Sequence, residues 1–163
     1  MRYGMAVSAT PSPGPPVGIA FLLAQLGADA AEQFAAALSE QELTPALAGI
    51  LRILRTEPGL SQQQLADRLA TVPSRVVSLV DELEARGWVT RSRDPIDRRV
   101  NLLSVTQAGG EAFKAIATVA KAHERRMTAG LDETERAELL RLLRKLAAAR
   151  ALTPGVHPGY RRR

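Results

Sequence analysis

The periodicity of the chain changes at Gly87, and this change limits the possible folds more than any other feature. Before it, apolar residues recur every three or four positions, as on helices packed by one face. After it come two short runs of strand formers, Trp88-Val-Thr90 and Val100 to Val105. Between them lies Arg91-Ser-Arg-Asp-Pro-Ile-Asp-Arg-Arg99, polar, charged and containing a turn-type Asp-Pro. The pattern predicts a β-hairpin with a charged loop, set directly behind two short helices.

Those two helices have readable ends. Pro58-Gly59 closes the segment before them, and Ser61-Gln-Gln-Gln64 is a capping box that opens a helix to about Leu69. Thr71-Val-Pro-Ser74 starts the next, which runs to roughly Arg86 and is closed by Gly87. Leu65, Ala66 and Leu69 make the apolar side of the first helix; Val76, Leu79 or Val80, and Leu83 make that of the second. The small Ala66 lets the two axes approach, and Ala70 stands where such a turn usually has glycine. Ser74, Ser78, Asp81 and Ala85 then face away from the stripe, with Arg75 and Glu82 on its flank.

Two structural meanings fit this pair. It is an ordinary helical hairpin in a core, or it is a helix-turn-helix whose second helix enters the major groove of DNA. The hairpin favours the second meaning. Arg91, Arg93, Arg98 and Arg99 outnumber Asp94 and Asp97 within nine residues, and arginine suits both phosphates and a narrow minor groove. A charged hairpin alone reads as a salt-bridged turn; behind a helix-turn-helix it reads as a wing.

The flanks are helical. Ile19, Leu22, Leu23, Leu26, Ala30, Phe34 and Leu38 form a stripe from Val17 to Leu38, and such a stripe needs a partner surface. Thr44-Pro45 opens a helix with Leu47, Ile50, Leu51 and Leu54 on its apolar face. Thr106 caps a long helix to about Ala129, and Asp132-Glu-Thr-Glu135 is a second capping box, opening a helix rich in leucine. Residues 1–16 hold four prolines and are expected to form a flexible leader. Residues 152–163, ending in Arg161-Arg-Arg163, are expected to form a basic flexible tail. The fold class expected is mainly α with a small β-hairpin.

Composition excludes several chemistries. There is no cysteine, so disulfides, thiolate metal sites and thiol redox sensing are absent from this chain. Two histidines leave little for a transition metal, and no metal or cofactor is expected. No apolar run approaches the ~18 residues of a membrane span, and no secretory signal is visible; a cytoplasmic protein is expected. No Ser/His/Asp arrangement or phosphate-binding glycine loop appears, so no catalytic residues are assigned and an enzyme is not expected.

The residues also carry a family likeness. Leu65-Ala-Asp-Arg-Leu69, the run Ser74 to Arg91 (SRVVSLVDELEARGWVTR), Asp97-Arg-Arg99 and Val105-Thr-Gln-Ala-Gly109 together resemble the MarR (multiple antibiotic resistance regulator) family, over about residues 17–150. The resemblance implies one domain, 17–151: a winged helix-turn-helix from 44 to 106, and dimerisation helices at 17–43 and 107–151. It implies a homodimer that binds double-stranded DNA, with half-site centres about 34–36 Å apart. Ser74, Arg75 and Ser78 are the candidates for base or phosphate contact. Arg99 matches the wing arginine and Asp97 its partner, with Arg93 and Arg98 as candidates for the DNA backbone. It also implies a small-molecule effector pocket between the dimerisation helices and the winged helix, lined by Leu22, Leu26, Leu47, Leu51 and the start of the long helix. Trp88 is read as packing between wing and core, and His123 as a dimer-surface residue rather than a metal ligand.

The function expected is a sequence-specific transcriptional regulator, a dimeric repressor of a pseudo-palindromic operator modulated by a ligand. The competing function is an architectural DNA binder, or a protein–protein adaptor that reuses the winged helix without operator specificity. The net charge of +5 is unevenly placed. Residues 86–99 carry five arginines against two aspartates, while residues 61–85 carry Arg68 and Arg75 against Asp67, Asp81, Glu82 and Glu84.

Overall fold

The computed structural model describes residues 17–153, 155 and 156. The leader of residues 1–16 and Arg161-Arg-Arg163 lie outside the described residues. Six helices and one hairpin follow in order: α1 (Ile19–Ser39), α2 (Pro45–Thr56), α3 (Gln62–Leu69), α4 (Pro73–Ala85), β1 (Val89–Arg93), β2 (Asn101–Val105), α5 (Gln107–Met127) and α6 (Glu133–Ala149).

Local chemistry sets most of the boundaries. Thr44 Oγ1 accepts the Leu47 N–H at 3.2 Å and Pro45 occupies the first turn, so α2 starts where the sequence places it. At α3 the capping box is complete: the Gln64 N–H donates to Ser61 Oγ at 3.2 Å, and the Ser61 N–H to Gln64 Oε1 at 2.8 Å. Asp132 and Glu135 repeat the device at α6, with both bonds at 2.9 Å. α4 differs, because Val72 is its N-cap and no side chain caps it; Pro73 alone presets the first turn. Ala70 takes the left-handed conformation (φ 49°, ψ 46°) that ends α3. The turn thus keeps the geometry of a glycine turn without the glycine, at a backbone cost of about 1–2 kcal/mol.

The core is a closed cluster of aliphatic side chains. Leu47, Ile50, Leu51 and Leu54 of α2 meet Leu65 and Leu69 of α3, Val76, Val80 and Leu83 of α4, and Leu103 of β2. Among the described residues no polar or charged residue is buried. Of the two candidates on α4, Val80 is the fully buried one, while Leu79 is only partly covered. β1 and β2 pair antiparallel with Val89 opposite Val105 and Arg91 opposite Leu103. Leu102 also bridges to Ser61, and the Leu103 N–H donates to the Leu60 carbonyl at 2.9 Å, which stitches the hairpin to the start of α3.

One small joint fixes the hairpin to the long helix. Thr106 Oγ1 donates to the Gly87 carbonyl at 2.6 Å and accepts the Gly109 N–H at 3.1 Å. A Cβ on Gly109 would lie 2.1 Å from the Trp88 carbonyl oxygen, so only glycine permits this approach of α5 to the strand. The Val105-Thr-Gln-Ala-Gly109 motif is therefore a packing device. Trp88 packs on the core as expected, with the Arg86 guanidinium 5.2 Å from its ring centroid.

α6 is the exception to this packing. None of its residues is buried, and Leu139, Leu140, Leu142, Leu143 and Leu146 are all exposed.

Candidate nucleic-acid interface

α4 buries Val76, Val80 and Leu83 and turns the rest of its surface outward. Ser74 and Ser78 lie on that outer face, and the Ser78 hydroxyl donates to the Ser74 carbonyl at 3.2 Å. Arg75 lies half-buried on the flank, at the rim of a shallow groove formed with Val72, Ser74 and Ser78. All three residues singled out on this helix sit at its N-terminal, outward end.

The hairpin loop is held by its aspartates. Asp94 Oδ1 accepts the Ile96 N–H at 2.7 Å, and the Asp94 N–H donates to the Val100 carbonyl at 2.9 Å. Asp97 Oδ1 accepts from the Arg99 N–H at 3.0 Å and from Arg99 Nε at 3.2 Å. The backbone bond first, then the guanidinium, hold the Asp97 carboxyl below its usual range. A lowered pKa means this support is present at neutral pH and is lost as pH falls through the lowered value. The Arg99 side chain is 92% exposed, so Asp97 aims the guanidinium while leaving it open to solvent. Arg98 is exposed, and Arg93 is exposed with its guanidinium donating to the Arg98 carbonyl at 3.3 Å.

Arg91 behaves differently from the other arginines of the hairpin. In a strand, alternate side chains share a face. Arg91 therefore points to the same side as Val89, toward α4, where its guanidinium binds both Asp81 and Glu84. Its side chain is only 18% exposed. This pair of bonds ties the base of the wing to the C-terminal half of α4 and offsets part of that helix's negative charge.

The four leucines assigned to a ligand pocket separate in space. Leu47 and Leu51 are fully buried in the core, and Leu22 and Leu26 lie on the exposed half of α1, 46% and 57% accessible. A cavity of about 560 Å³ exists beside them, between α1, α2 and α5, and none of the four lines it. Phe34, Ala48, Arg52, Phe113, Ile116 and Lys121 contribute to its wall, as do Gly155 and Val156. The Arg52 guanidinium donates to the Gly155 carbonyl. A sequence signal for this cavity existed. The chain has three phenylalanines, and Phe34 and Phe113 both converge here, while Pro45, Ala48, Gly49 and Arg52 share one face of α2.

His123 is partly exposed on α5. Its ring lies 5.4 Å from that of Phe34 within the same chain, with Nδ1 buried and without a hydrogen-bond partner. No cluster of three metal-ligating side chains exists among the described residues. No described helix is long and apolar enough to cross a membrane.

Known proteins share this arrangement. The MarR family model matches residues 43–100, from the end of the segment before α2 to the start of β2. A Thauera aromatica protein described as a transcriptional regulatory protein for the hcr operon is 34% identical over 123 residues, covering 75% of this chain and 74% of its own. Among solved structures, the transcriptional repressor CouR bound to a 23-mer DNA duplex is 30% identical, with a TM-score of 0.71 over 80% of this chain and 92% of that one. Wild-type MarR of Escherichia coli superposes with a TM-score of 0.73 over 82% and 98%, at 22% identity, a likeness of fold. These relatives are regulators and not enzymes. The chain belongs to the MarR family of transcriptional regulators.

Proposed function

We propose that the protein is a cytoplasmic homodimer that represses transcription by binding a pseudo-palindromic DNA operator, with residues 44–106 as the reading lobe. One observation carries this reading: α4 turns Ser74 and Ser78 outward, and the hairpin that Arg91 ties to the same helix carries on its loop an exposed Arg99 held by Asp97. Ser74, Arg75 and Ser78 approach base edges or phosphates in the major groove. Arg99, aimed by Asp97, reaches the adjacent minor groove, and Arg93 and Arg98 meet phosphates. CouR, of similar fold, was solved on a DNA duplex.

The platform is formed by α1, α5 and α6. Ile19, Phe21, Leu22, Leu23 and Leu26 on α1 and the five leucines of α6 are exposed in one chain. Leucine stripes of this extent are stable in water only when covered, and a second copy supplies a matching pair of stripes. The effector cavity is the one between α1, α2 and α5. Its walls are largely apolar, with Arg52 and Lys121 as cations, which suits a small apolar molecule bearing an acid group. Such a ligand releases DNA only if it prefers a dimer geometry with unsuitable spacing of the two α4 helices.

Selection of DNA from a random pool by the purified protein tests the reading. The expected product is a pseudo-palindrome with half-site centres about one helical turn apart. Specific binding should remain about 10³-fold tighter than random binding as salt is raised. Equal affinity for selected and random DNA would overturn it in favour of an architectural role.

A further inference from the structure

We propose that Val77 reads a thymine in the major groove through the 5-methyl group of the base, so that one position in each half-site is specified by an apolar contact. This rests on the DNA-binding reading above. Among the described residues the large exposed apolar side chains fall into three groups. One runs along α1 from Val17 to Leu26, and a second along α6 from Leu139 to Leu146 and on to Leu152. Both are continuous stripes that a second copy covers. The third comprises Val72, Val77 and Ile96, at the start of α4, on its outer side and on the hairpin loop.

Val77 stands alone in its surroundings. It is 41% exposed, on a helix whose other exposed positions are Pro73, Ser74, Ser78, Asp81, Glu82, Glu84 and Ala85. At about 100° per residue it lies roughly 60° around the helix from Ser74 and 40° from Asp81. The carboxylates beyond it, Asp81 and Glu84, would repel phosphates, but Arg91 binds both. The result is an apolar spot whose neighbouring carboxylates are held by Arg91, near two small hydroxyls. The Ser78 proton is already directed to the Ser74 carbonyl, so this part of the face has few donors to offer.

A base edge matches such a spot in only one way. Donors and acceptors fill the major-groove edges of all four bases, and the C5-methyl of thymine is the apolar exception. Valine has neither donor nor acceptor, and in a helix its χ1 is almost fixed, so its two methyls are presented with little loss of rotamer freedom.

The test replaces each thymine of the selected operator in turn by uracil, which removes the methyl alone, and measures Kd at fixed salt. For the unmodified protein, one thymine per half-site should cost about 3–5-fold on replacement, the equivalent of one buried methyl. Val77→Ala should weaken binding to the thymine operator by a similar factor and be indifferent to uracil at that position. Its melting temperature should change little, because Val77 is exposed and lies outside the buried cluster. An operator without a uracil-sensitive thymine, or a Val77→Ala protein as uracil-sensitive as the parent, overturns the assignment of Val77 alone. A pool in which no sequence is enriched overturns the DNA-binding reading and this inference together.

Discussion

The reading lobe and the platform use the same residue types in opposite ways. All the buried aliphatic residues but Leu38, Leu43 and Ile116 lie between Leu47 and Leu103, in α2, α3, α4 and the hairpin. α1 and α6 are as rich in leucine, yet their N-terminal half and whole length, respectively, face solvent in one chain. The lobe thus buries its aliphatic residues within one chain. In the proposed homodimer the platform acquires its core only on association, which would make its stability and its assembly one quantity.

The sharpest way to break this contrast is to charge the platform. Leu139→Glu together with Leu143→Glu should raise the dimer dissociation constant by roughly a thousandfold or more, since two leucines per subunit lose their burial. Sedimentation should then show monomers whose far-ultraviolet dichroism remains helical; an intact dimer would sink the assignment of α6. Next in size is a change at the joint between lobe and platform. Gly109→Ala drives a Cβ into the Trp88 carbonyl and should cost about 1–3 kcal/mol in denaturant unfolding. Arg91→Ala, which frees Asp81 and Glu84 on the reading side, should weaken operator binding about tenfold at low salt, with the loss shrinking as salt is raised. Unchanged affinity would show that those carboxylates do not face DNA. Arg99→Ala should leave the melting temperature alone and reduce the slope of log affinity against log salt by about one per subunit. Finally, Ala70→Gly should raise the unfolding free energy by about 1 kcal/mol without altering DNA affinity, because it relieves a left-handed alanine.

Where hydrogen bonds between near neighbours decide the structure, the sequence was legible. Thr44, Ser61, Thr106 and Asp132 cap the helices expected of them, and Asp97 holds Arg99 across two residues. The fold class followed from these ends together with the change of period at Gly87. Features set by register or by distant packing were not legible. Arg91 sits among wing arginines in sequence, but pairing opposite Leu103 turns it toward α4. The cavity wall is drawn from α1, α2, α5 and residues 155 and 156, so no single stripe outlines it, and leucines from the same helices were named in its place. The contact of His123 with Phe34 of α1 was likewise not legible, because helical periodicity does not say which neighbour covers a given side.

The Thr106 joint has a mechanical consequence. By binding Gly87 at the end of α4 and Gly109 in α5, it welds the reading helix, the hairpin base and one end of a 21-residue rod into a single body. That rod is about 31 Å long at 1.5 Å per residue. A tilt of ~5° about its far end therefore carries the welded end through roughly 2.7 Å, by the same geometry. In the proposed dimer, two subunits tilting in opposite senses would double that figure to about 5.4 Å, more than the ~3.4 Å rise of one base pair. Under the proposed regulation, a small shift of the cavity wall, which α5 itself helps to form, would be magnified into a misfit with the groove.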